Sequence, residues 1–391
     1  MAHETQQFTS PKPVNRSNGQ PYRVVLVHPS AGVNWSGGSE IFAVEISRRL
    51  GTYFEVELLS GAPCGPFSHP AGGICRTHSY QALCHPLVAP LWRRFTNIPE
   101  IWVEHLTSFL PCAVHLLRRP PDLIFPNNDI GGLAMAACVR SLTGTPILYT
   151  EHTGLLGGGR CLKRNLTFRP ERLVVFSETM VALARAQRPE QAVSIIPNGV
   201  DLDRFTPEGD CIALDLPRPI VLCVASLRRN NHKRIELAMQ AVARLPQASL
   251  LVCGDGPDRA YFQDLGEQLL SPERFAIRTF PFEQMPTVYR SADAFTLPSI
   301  DEPCALSYLE AMASGLPVVT TDDEMRRYTV ADGGIVCKVT DPVIYAAALT
   351  EVLNGSWGMR ARQNALRFSW DAVASRYHDV ILETIVQSKK D

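Results

Sequence analysis

The sequence predicts an α/β protein made of two tandem Rossmann-like domains with a cleft between them. Short apolar runs alternate with helical patterns along the chain. Runs that are apolar throughout are typical of parallel strands covered by helices on both faces. The alternation stops once, in a stretch rich in Pro, Gly and Asp, and then starts again. A chain of 391 residues is also too long for one ordinary hydrophobic core.

The first half contains six predicted strands, with helical segments such as SEIFAVEISRRL between several of them. The strands are Arg23–His28, Phe54–Ser60, Asp122–Pro126, Pro146–His152, Arg172–Ser177 and Val193–Pro197. Residues 62–121 form the least regular part of this half. Its basic and apolar patches leave peripheral contact with a membrane as an open alternative.

The second half repeats the alternation after the break. Runs such as PIVLCVAS, ASLLVCGDG and LPVVTTD predict strands, and LSYLEAMAS predicts a helix that ends at Gly315. The predicted organisation is a disordered leader at 1–21, a first domain at 22–200, a linker at 201–218, a second domain at 219–368, and a C-terminal helix at 369–391 that packs back on the first domain.

The composition excludes several classes of protein. A formal net charge of −1 gives no strong positive electrostatic field that would indicate binding to nucleic acid. We find no apolar run long enough to span a membrane and no secretory signal in the sequence. Several of the 11 cysteines lie inside apolar runs, which indicates reduced thiols in a cytoplasmic protein. Three cysteines alternate with histidines between residues 60 and 90, but their spacing fits no familiar zinc pattern.

The sequence lacks the motifs of other doubly wound enzymes. The first strand is followed by PSAGVNWSGGSE rather than a G-x-G-x-x-G loop, which argues against a dehydrogenase. There is no Walker A motif and no G-x-S-x-G elbow. The D-x-D sequence at Asp201–Asp203 lies in the predicted linker. We therefore expect neither a metal nor a cofactor.

Four segments carry a specific resemblance. They are IIPNGVDLDRF, CGDGP, YRSADAFTLPSIDEPCALSYLEAMASGLPVVTTD and SWDAVASRYHDVI. In this order they resemble the retaining GT-B glycosyltransferases of family 4, also called glycosyl transferases group 1. The resemblance covers most of the chain after about residue 145. It implies the GT-B fold and a metal-independent hexosyltransferase that takes a nucleoside diphosphate sugar as co-substrate.

The resemblance assigns the donor sugar nucleotide to the start of one helix. The motif E-x7-E places Glu302 at the sugar hydroxyls and Glu310 at the ribose, where a carboxylate accepts hydrogen bonds from two hydroxyls. Between them, Cys304, Ala305 and Leu306 open the helix, and the free N–H groups of a helix start favour an anion such as diphosphate. Cys304 and Ala305 replace the Phe and Gly that are usual in the family, which leaves the donor's identity open.

Basic residues after the first strand of the second domain are expected to hold the diphosphate. In VASLRRNNHKRIE the best candidate lysine is Lys233, and Arg228 supplies the guanidinium from a shifted position, because Ser226 occupies the family's usual Arg position. Arg229 and Arg234 stay as alternatives. Fixed cations stabilise the charge that gathers on a departing nucleoside diphosphate.

The first domain is expected to contribute Gly37, Gly38 and His152. Glycines allow the backbone to approach phosphate or sugar closely, and His152 matches a His that the family places near the reacting sugar. Phe280 and Phe282 lie where the family's loop meets the base, although TFPF is equally typical of a core segment.

The sequence leaves the substrates open. UDP is the favoured nucleotide and GDP the next, and the favoured acceptor is a small molecule or natural-product intermediate. The alternatives are a lipid-linked or polysaccharide acceptor at the membrane, a GT-B sugar-nucleotide epimerase or phosphorylase, and a scaffold that only binds sugar nucleotides. The oligomeric state cannot be inferred from these patterns.

Overall fold

The fold consists of two parallel sheets, each covered by helices. The computed structural model describes residues 16, 18–33, 37–83, 85, 88, 91 and 99–389. Most of the predicted leader lies outside this range, but Arg16 donates a 3.0 Å hydrogen bond to Asp122 at the start of the first sheet. The ten cysteines in this range are all free thiols.

Among the described residues, the first sheet has seven strands, four in one ladder and three in another that a single bridge joins to it. They are β1 (Arg23–His28), β2 (Glu55–Ser60), β3 (Ser68–Pro70), β4 (Leu123–Pro126), β5 (Leu148–Thr150), β6 (Arg172–Val175) and β7 (Val193–Ile195). The order β3-β2-β1-β4 continues into β5-β6-β7 through a parallel bridge between Ile124 and Ile147. The helices are α1 (Gly38–Leu50), α2 (Arg76–Leu83), α3 (Pro99–Arg118), α4 (Ile130–Thr143), α5 (Leu156–Asn165) and α6 (Glu178–Gln187).

The second sheet has six strands. They are β8 (Ile220–Val224), β9 (Ser249–Cys253), β10 (Phe275–Arg278), β11 (Ala294–Leu297), β12 (Val318–Thr321) and β13 (Gly334–Cys337). Their order, β10-β9-β8-β11-β12-β13, reverses direction at β8, as in a doubly wound fold. The helices are α7 (Ile235–Ala243), α8 (Arg259–Leu270), α9 (Met285–Arg290), α10 (Leu306–Ala313), α11 (Glu324–Val330), α12 (Pro342–Asn354) and α13 (Gly358–Ala365).

The chain passes between the two units twice, and the two passages are hydrogen-bonded to each other. Val200 donates to the carbonyl of Phe368 at 2.8 Å, and Trp370 donates to the carbonyl of Val200 at 3.2 Å. Trp370 then begins α14 (Trp370–Ser388). This helix returns to the first unit, where its Tyr377 ring stacks 5.6 Å from that of Phe125.

The sequence predicted β1 residue for residue and β2, β4, β5, β6 and β7 to within a few residues. It missed the three-residue edge strand β3, which lies inside the stretch predicted to be irregular. The irregular stretch predicted at 62–121 is wrong, because α3 is a regular helix of 20 residues. Two features hide it. Pro111 lies inside the helix and is an unfavourable residue there. Leu106 and Leu110, which are 72% and 68% exposed, blur the contrast between an apolar and a polar face.

No helix in the described ranges is long and apolar enough to cross a membrane.

Tyr377 anchors the C-terminal helix through a buried hydrogen bond of 2.9 Å between its hydroxyl and Thr150 Oγ1. We expect Tyr377→Phe to lower the free energy of unfolding by about 1–2 kcal/mol, because the Thr150 hydroxyl is left buried with a lost partner. Urea unfolding followed by circular dichroism measures this. Tyr328→Phe is the control, because that ring is 43% exposed. Equal midpoints for the two variants would contradict the anchoring role.

Candidate functional site

The candidate site lies where the carboxyl ends of the two sheets approach each other. Three hydrogen bonds join residues that follow strands of opposite sheets. They run from Leu155 N to Asp301 O (3.3 Å), from Asn198 Nδ2 to Cys304 O (2.6 Å), and from Glu178 N to the carboxylate of Glu324 (2.9 Å). The loop after His152 therefore contacts the loop that carries Glu302. In open α/β sheets this edge is where ligands bind.

Glu302 and Lys233 form an ion pair at the centre of this edge, between Oε1 and Nζ. Their side chains are only 12% and 16% exposed. Burial alone would raise the pKa of Glu302, but the Lys233 ammonium and its hydrogen bond, with His232, lower it below the ordinary value. Glu302 is therefore a carboxylate at neutral pH. Its second oxygen, Oε2, is buried and has no hydrogen-bond partner in the part of the chain that the structure describes.

Arg326 holds the Glu302 loop in place, and the sequence patterns did not identify it. Its guanidinium donates to the carbonyl of Glu302 at 2.7 Å and to Ser299 Oγ at 3.1 Å. Its side chain is 3% exposed. Asp323 caps α11 by accepting a hydrogen bond from the backbone N–H of Arg326, and this contact positions Arg326. Arg326 therefore shapes the site from behind rather than lining it.

The structure separates the three arginines that the sequence left in competition. Arg234 donates to Pro298 O at 2.8 Å and to Thr321 Oγ1 at 2.9 Å, so it ties loops of the second sheet together. Arg229 stacks 3.9 Å from the ring centroid of Tyr261. Arg228 is exposed, and its guanidinium has no hydrogen-bond or ion-pair partner among the residues that the structure describes. Of the three, it is the cation that remains available to an anion.

The start of α10 keeps its backbone free of side-chain caps. Ala305 is the N-cap, in an extended conformation with φ −67° and ψ 129°, and its side chain offers no cap hydrogen bond. Cys304 is 6% exposed, and burial raises the pKa of its thiol to about 11, so the thiol is neutral. The Leu306 side chain packs into the apolar core around α1 and α14. Leu306 can therefore contact a ligand only through its backbone.

Glu310 lies one helical turn after Leu306, and only 9% of its surface is exposed. The hydroxyl of Tyr289 donates to its Oε2 at 2.8 Å. Burial raises the pKa of Glu310 to about 7, although the Tyr289 hydrogen bond and Arg204 oppose the shift. Tyr289 was part of a recognised segment, YRSADAF, but its role in holding Glu310 required the structure.

His152 projects from the first unit in an aromatic surrounding. Its ring lies 4.7 Å from the ring of Phe42 and 5.8 Å from that of Phe176. Burial, with a smaller contribution from His28, lowers the pKa of His152 to about 3, so the imidazole is neutral. Its Nε2 is buried and makes no hydrogen bond to any residue within the described ranges. A neutral ring with one unused nitrogen can hydrogen-bond a ligand hydroxyl.

Gly37 and Gly38 have different surroundings at the start of α1. A Cβ on Gly37 would lie 1.9 Å from Glu40 Oε2, because that carboxylate folds over the glycine. Glu40 is buried and pairs with Arg76 at 2.7 Å. A Cβ on Gly38 would meet nothing within 4 Å. The carboxylate thus takes the position beside Gly37 where an anion was expected, and Gly38 is open.

Phe280 and Phe282 each pack against other parts of the protein. The Arg204 guanidinium lies 3.9 Å from the Phe282 ring centroid and donates to the Phe282 carbonyl at 2.7 Å. Phe280 is partly buried against the core of the second unit. The structure therefore places Phe282 against the linker, and the predicted contact with a base stays a prediction for both.

Comparisons with known proteins agree on one family. The model of glycosyl transferases group 1 matches residues 212–366, and the model of Glycosyltransferase Family 4 matches residues 36–204. Together the two models span most of the chain.

Similar proteins are found by sequence and by structure. The D-inositol 3-phosphate glycosyltransferase of Streptomyces avermitilis is 26% identical over 92% of this chain and 87% of its own. The GDP-mannose-dependent alpha-(1-6)-phosphatidylinositol monomannoside mannosyltransferase of Mycolicibacterium smegmatis is 31% identical over 45% of this chain and 50% of its own. Sucrose-phosphate synthase of Thermosynechococcus elongatus superposes with a TM-score of 0.73 at 20% identity, covering 94% of this chain and 100% of that one. This last likeness shows a shared fold.

The buried Glu310 makes the stability of the protein depend on pH. Between its ordinary value of 4.5 and about 7, the folded chain keeps a proton that the unfolded chain releases. The stabilisation from the protonated form is therefore complete below pH 4.5 and is lost as the pH rises through 7, by up to about 1.4 kcal/mol per unit.

We expect Glu310→Gln to remove this component, so that the melting temperature falls less between pH 5 and pH 8 than in the wild type. Glu351→Gln, on an exposed face of α12, is the matched control and should follow the wild type. The assignment is wrong if all three proteins have the same pH profile.

Proposed function

Since the chain belongs to the GT-B glycosyltransferases of family 4, as its sequence predicted, we propose that it moves a sugar from a nucleoside diphosphate sugar to a small hydroxylated acceptor. The family, the fold and the enzyme class, a hexosyltransferase, are confirmed. Retention at the anomeric carbon and independence from metal belong to the proposal. The observation that carries it is the ion pair of Glu302 with Lys233, placed opposite His152 where the two sheets meet.

The donor is bound by the second unit. Glu310, as a carboxylate, accepts hydrogen bonds from two ribose hydroxyls, and Tyr289 fixes its position at 2.8 Å. Lys233 has three N–H donors, of which one is directed to Glu302, so the others serve the diphosphate. Arg228 supplies a second cation from the loop after β8. The unpartnered oxygen of Glu302 receives a sugar hydroxyl.

The reaction needs no covalent protein nucleophile in this proposal. The acceptor hydroxyl attacks the anomeric carbon on the face that the diphosphate leaves, and the departing phosphate oxygen takes the acceptor proton. Lys233 and Arg228 stabilise the charge that gathers on that oxygen. His152 is neutral, and its free Nε2 positions a sugar hydroxyl beside the reacting carbon.

The acceptor is bound by the first unit, at hydrogen-bonding groups that follow β4 and lie on α3. Four buried polar atoms have no hydrogen-bond partner among the described residues: both side-chain amide atoms of Asn127, Oδ1 of Asn128 and Oε1 of Glu104. Buried polar atoms are normally paired, so unpaired ones at a ligand-binding edge favour a hydroxylated ligand. The relative that covers 92% of this chain has a small polyol phosphate in its name, which supports the same class of acceptor.

The nucleotide is tested by a thermal-shift screen with UDP, GDP and several of their sugars. We propose UDP first and GDP next, the latter because one relative is named as GDP-mannose-dependent. A ligand bound at 100 times its Kd stabilises the folded chain by about 2.7 kcal/mol, so one of the two nucleotides should raise Tm clearly. If neither raises Tm and no sugar transfer or donor hydrolysis follows, the proposed function is wrong.

Two adjacent arginines provide a matched test of the diphosphate site. Arg228→Ala should raise the KM for the donor roughly 10- to 100-fold, because a hydrogen bond to a charged phosphate oxygen is lost. Arg229→Ala should leave the KM within about twofold, because that guanidinium is stacked on Tyr261. Steady-state kinetics at saturating acceptor measure both. The reverse result would assign the diphosphate to Arg229.

A further inference from the structure

We propose that Glu57, His69 and His115 form a binding site for one divalent transition-metal ion of the zinc type, outside the cleft. Each residue offers one ligand atom, and these atoms all lie within 4.8 Å of one another. Two imidazoles and one carboxylate are a donor set that suits zinc and its neighbours in the first transition row. The proposal does not depend on the transferase reaction.

Three elements bring the ligands together. Glu57 lies on β2, His69 on the edge strand β3, and His115 in the last turn of α3. His69 pairs with Leu59 in the β2–β3 register. Glu57 is two residues before Leu59 and shares its face, because side chains along a strand alternate. Leu59 packs in the same cluster as Leu116 of α3, so α3 covers this face and delivers His115 to it.

The distances are compatible with coordination, and the orientation of His115 argues against a simple hydrogen bond. Nε2 of His115 is 2.8 Å from Glu57 Oε1, and Nδ1 of His69 is 3.9 Å from the same oxygen. Tetrahedral zinc with bonds of about 2.0–2.2 Å has ligand atoms about 3.3 Å apart, which lies between these values. Although it is close to Glu57, the buried Nε2 of His115 makes no hydrogen bond of acceptable geometry. The two atoms are near each other without pointing at each other, as expected for ligands directed at a common third atom.

Arg23 fixes the orientation of the Glu57 carboxylate. Its guanidinium binds Oε2 of Glu57, so Oε1 is the oxygen that faces both histidines. A partner that fixes a ligand in this way supports metal sites. The Arg23 charge also opposes a cation, so we expect binding weaker than in a closed structural zinc site. The His69 side chain is 53% exposed, which leaves an entry path and room for water in the fourth position.

The location indicates a structural role. Glu57 lies in the first half of β2, and α3 leads to the amino end of β4, whereas the cleft is at the carboxyl ends. An ion here would join the three-residue edge strand β3 to β2 and to α3.

The test uses the full chain after treatment with a chelator. We expect calorimetry with Zn²⁺ to give one site per chain. Zn²⁺ at 100 times its Kd should raise Tm by about 2–5 °C. Co²⁺ should give an absorption spectrum without a thiolate charge-transfer band. His69→Ala should weaken binding at least tenfold and abolish the Tm rise, and its exposed position makes misfolding a minor concern.

His78→Ala is the matched control, because His78 is exposed on α2. Its Nδ1 lies 3.2 Å from Cys75 Sγ, so this pair is an alternative place for a metal ion to bind. The variant should bind the ion as the wild type does. The proposal is overturned if the wild type binds no ion, if His69→Ala binds as tightly as the wild type, if His78→Ala alone loses binding, or if the Co²⁺ spectrum is that of a thiolate.

Discussion

The hydrogen-bonded crossing at Val200 is the constraint on which the site depends. Val200 pairs with Phe368 and Trp370, so the two passages of the chain between the units are held side by side. Parallel sheets place all their strand-terminal loops on one edge, and this crossing directs the two edges towards each other. Without it, His152 and Glu302 would belong to separate surfaces. Domain closure around a donor would take place about this point.

The electrostatics of the site follow from burial. Three buried acidic groups respond differently to similar low-polarity surroundings. Lys233 keeps Glu302 ionised. Burial raises the pKa of Glu310 to about 7, because the Tyr289 hydroxyl and the Arg204 charge compensate only part of it. Glu151, next to His152, also has a pKa of about 7, because of burial and then the nearby Asp129. A site of this kind places fixed charge only where a charged partner compensates the loss of water.

The two units differ in how their polar groups are satisfied. In the second unit the donor-facing groups are held by named partners, as Arg326 holds the Glu302 loop and Tyr289 holds Glu310. In the first unit several groups at the cleft edge, such as those of Asn127 and His152, are buried with no hydrogen-bond partner among the described residues. In the second unit one oxygen of Glu302 is left in the same way.

The sequence by itself determined the two-unit α/β architecture, the family, and Glu302, Glu310, Lys233 and His152 as candidates, because strand alternation and short motifs are local patterns. It did not determine the regular helix α3, whose Pro111 and exposed leucines obscure the pattern. The sequence also named Arg228, with Arg229 and Arg234 as alternatives, and the structure adds what each guanidinium contacts. The support from Arg326 and the histidine–glutamate cluster came only from the tertiary structure. The physical reason is distance along the chain. His115 is 58 residues from Glu57 and Arg326 is 24 from Glu302, so folding alone brings these pairs into contact.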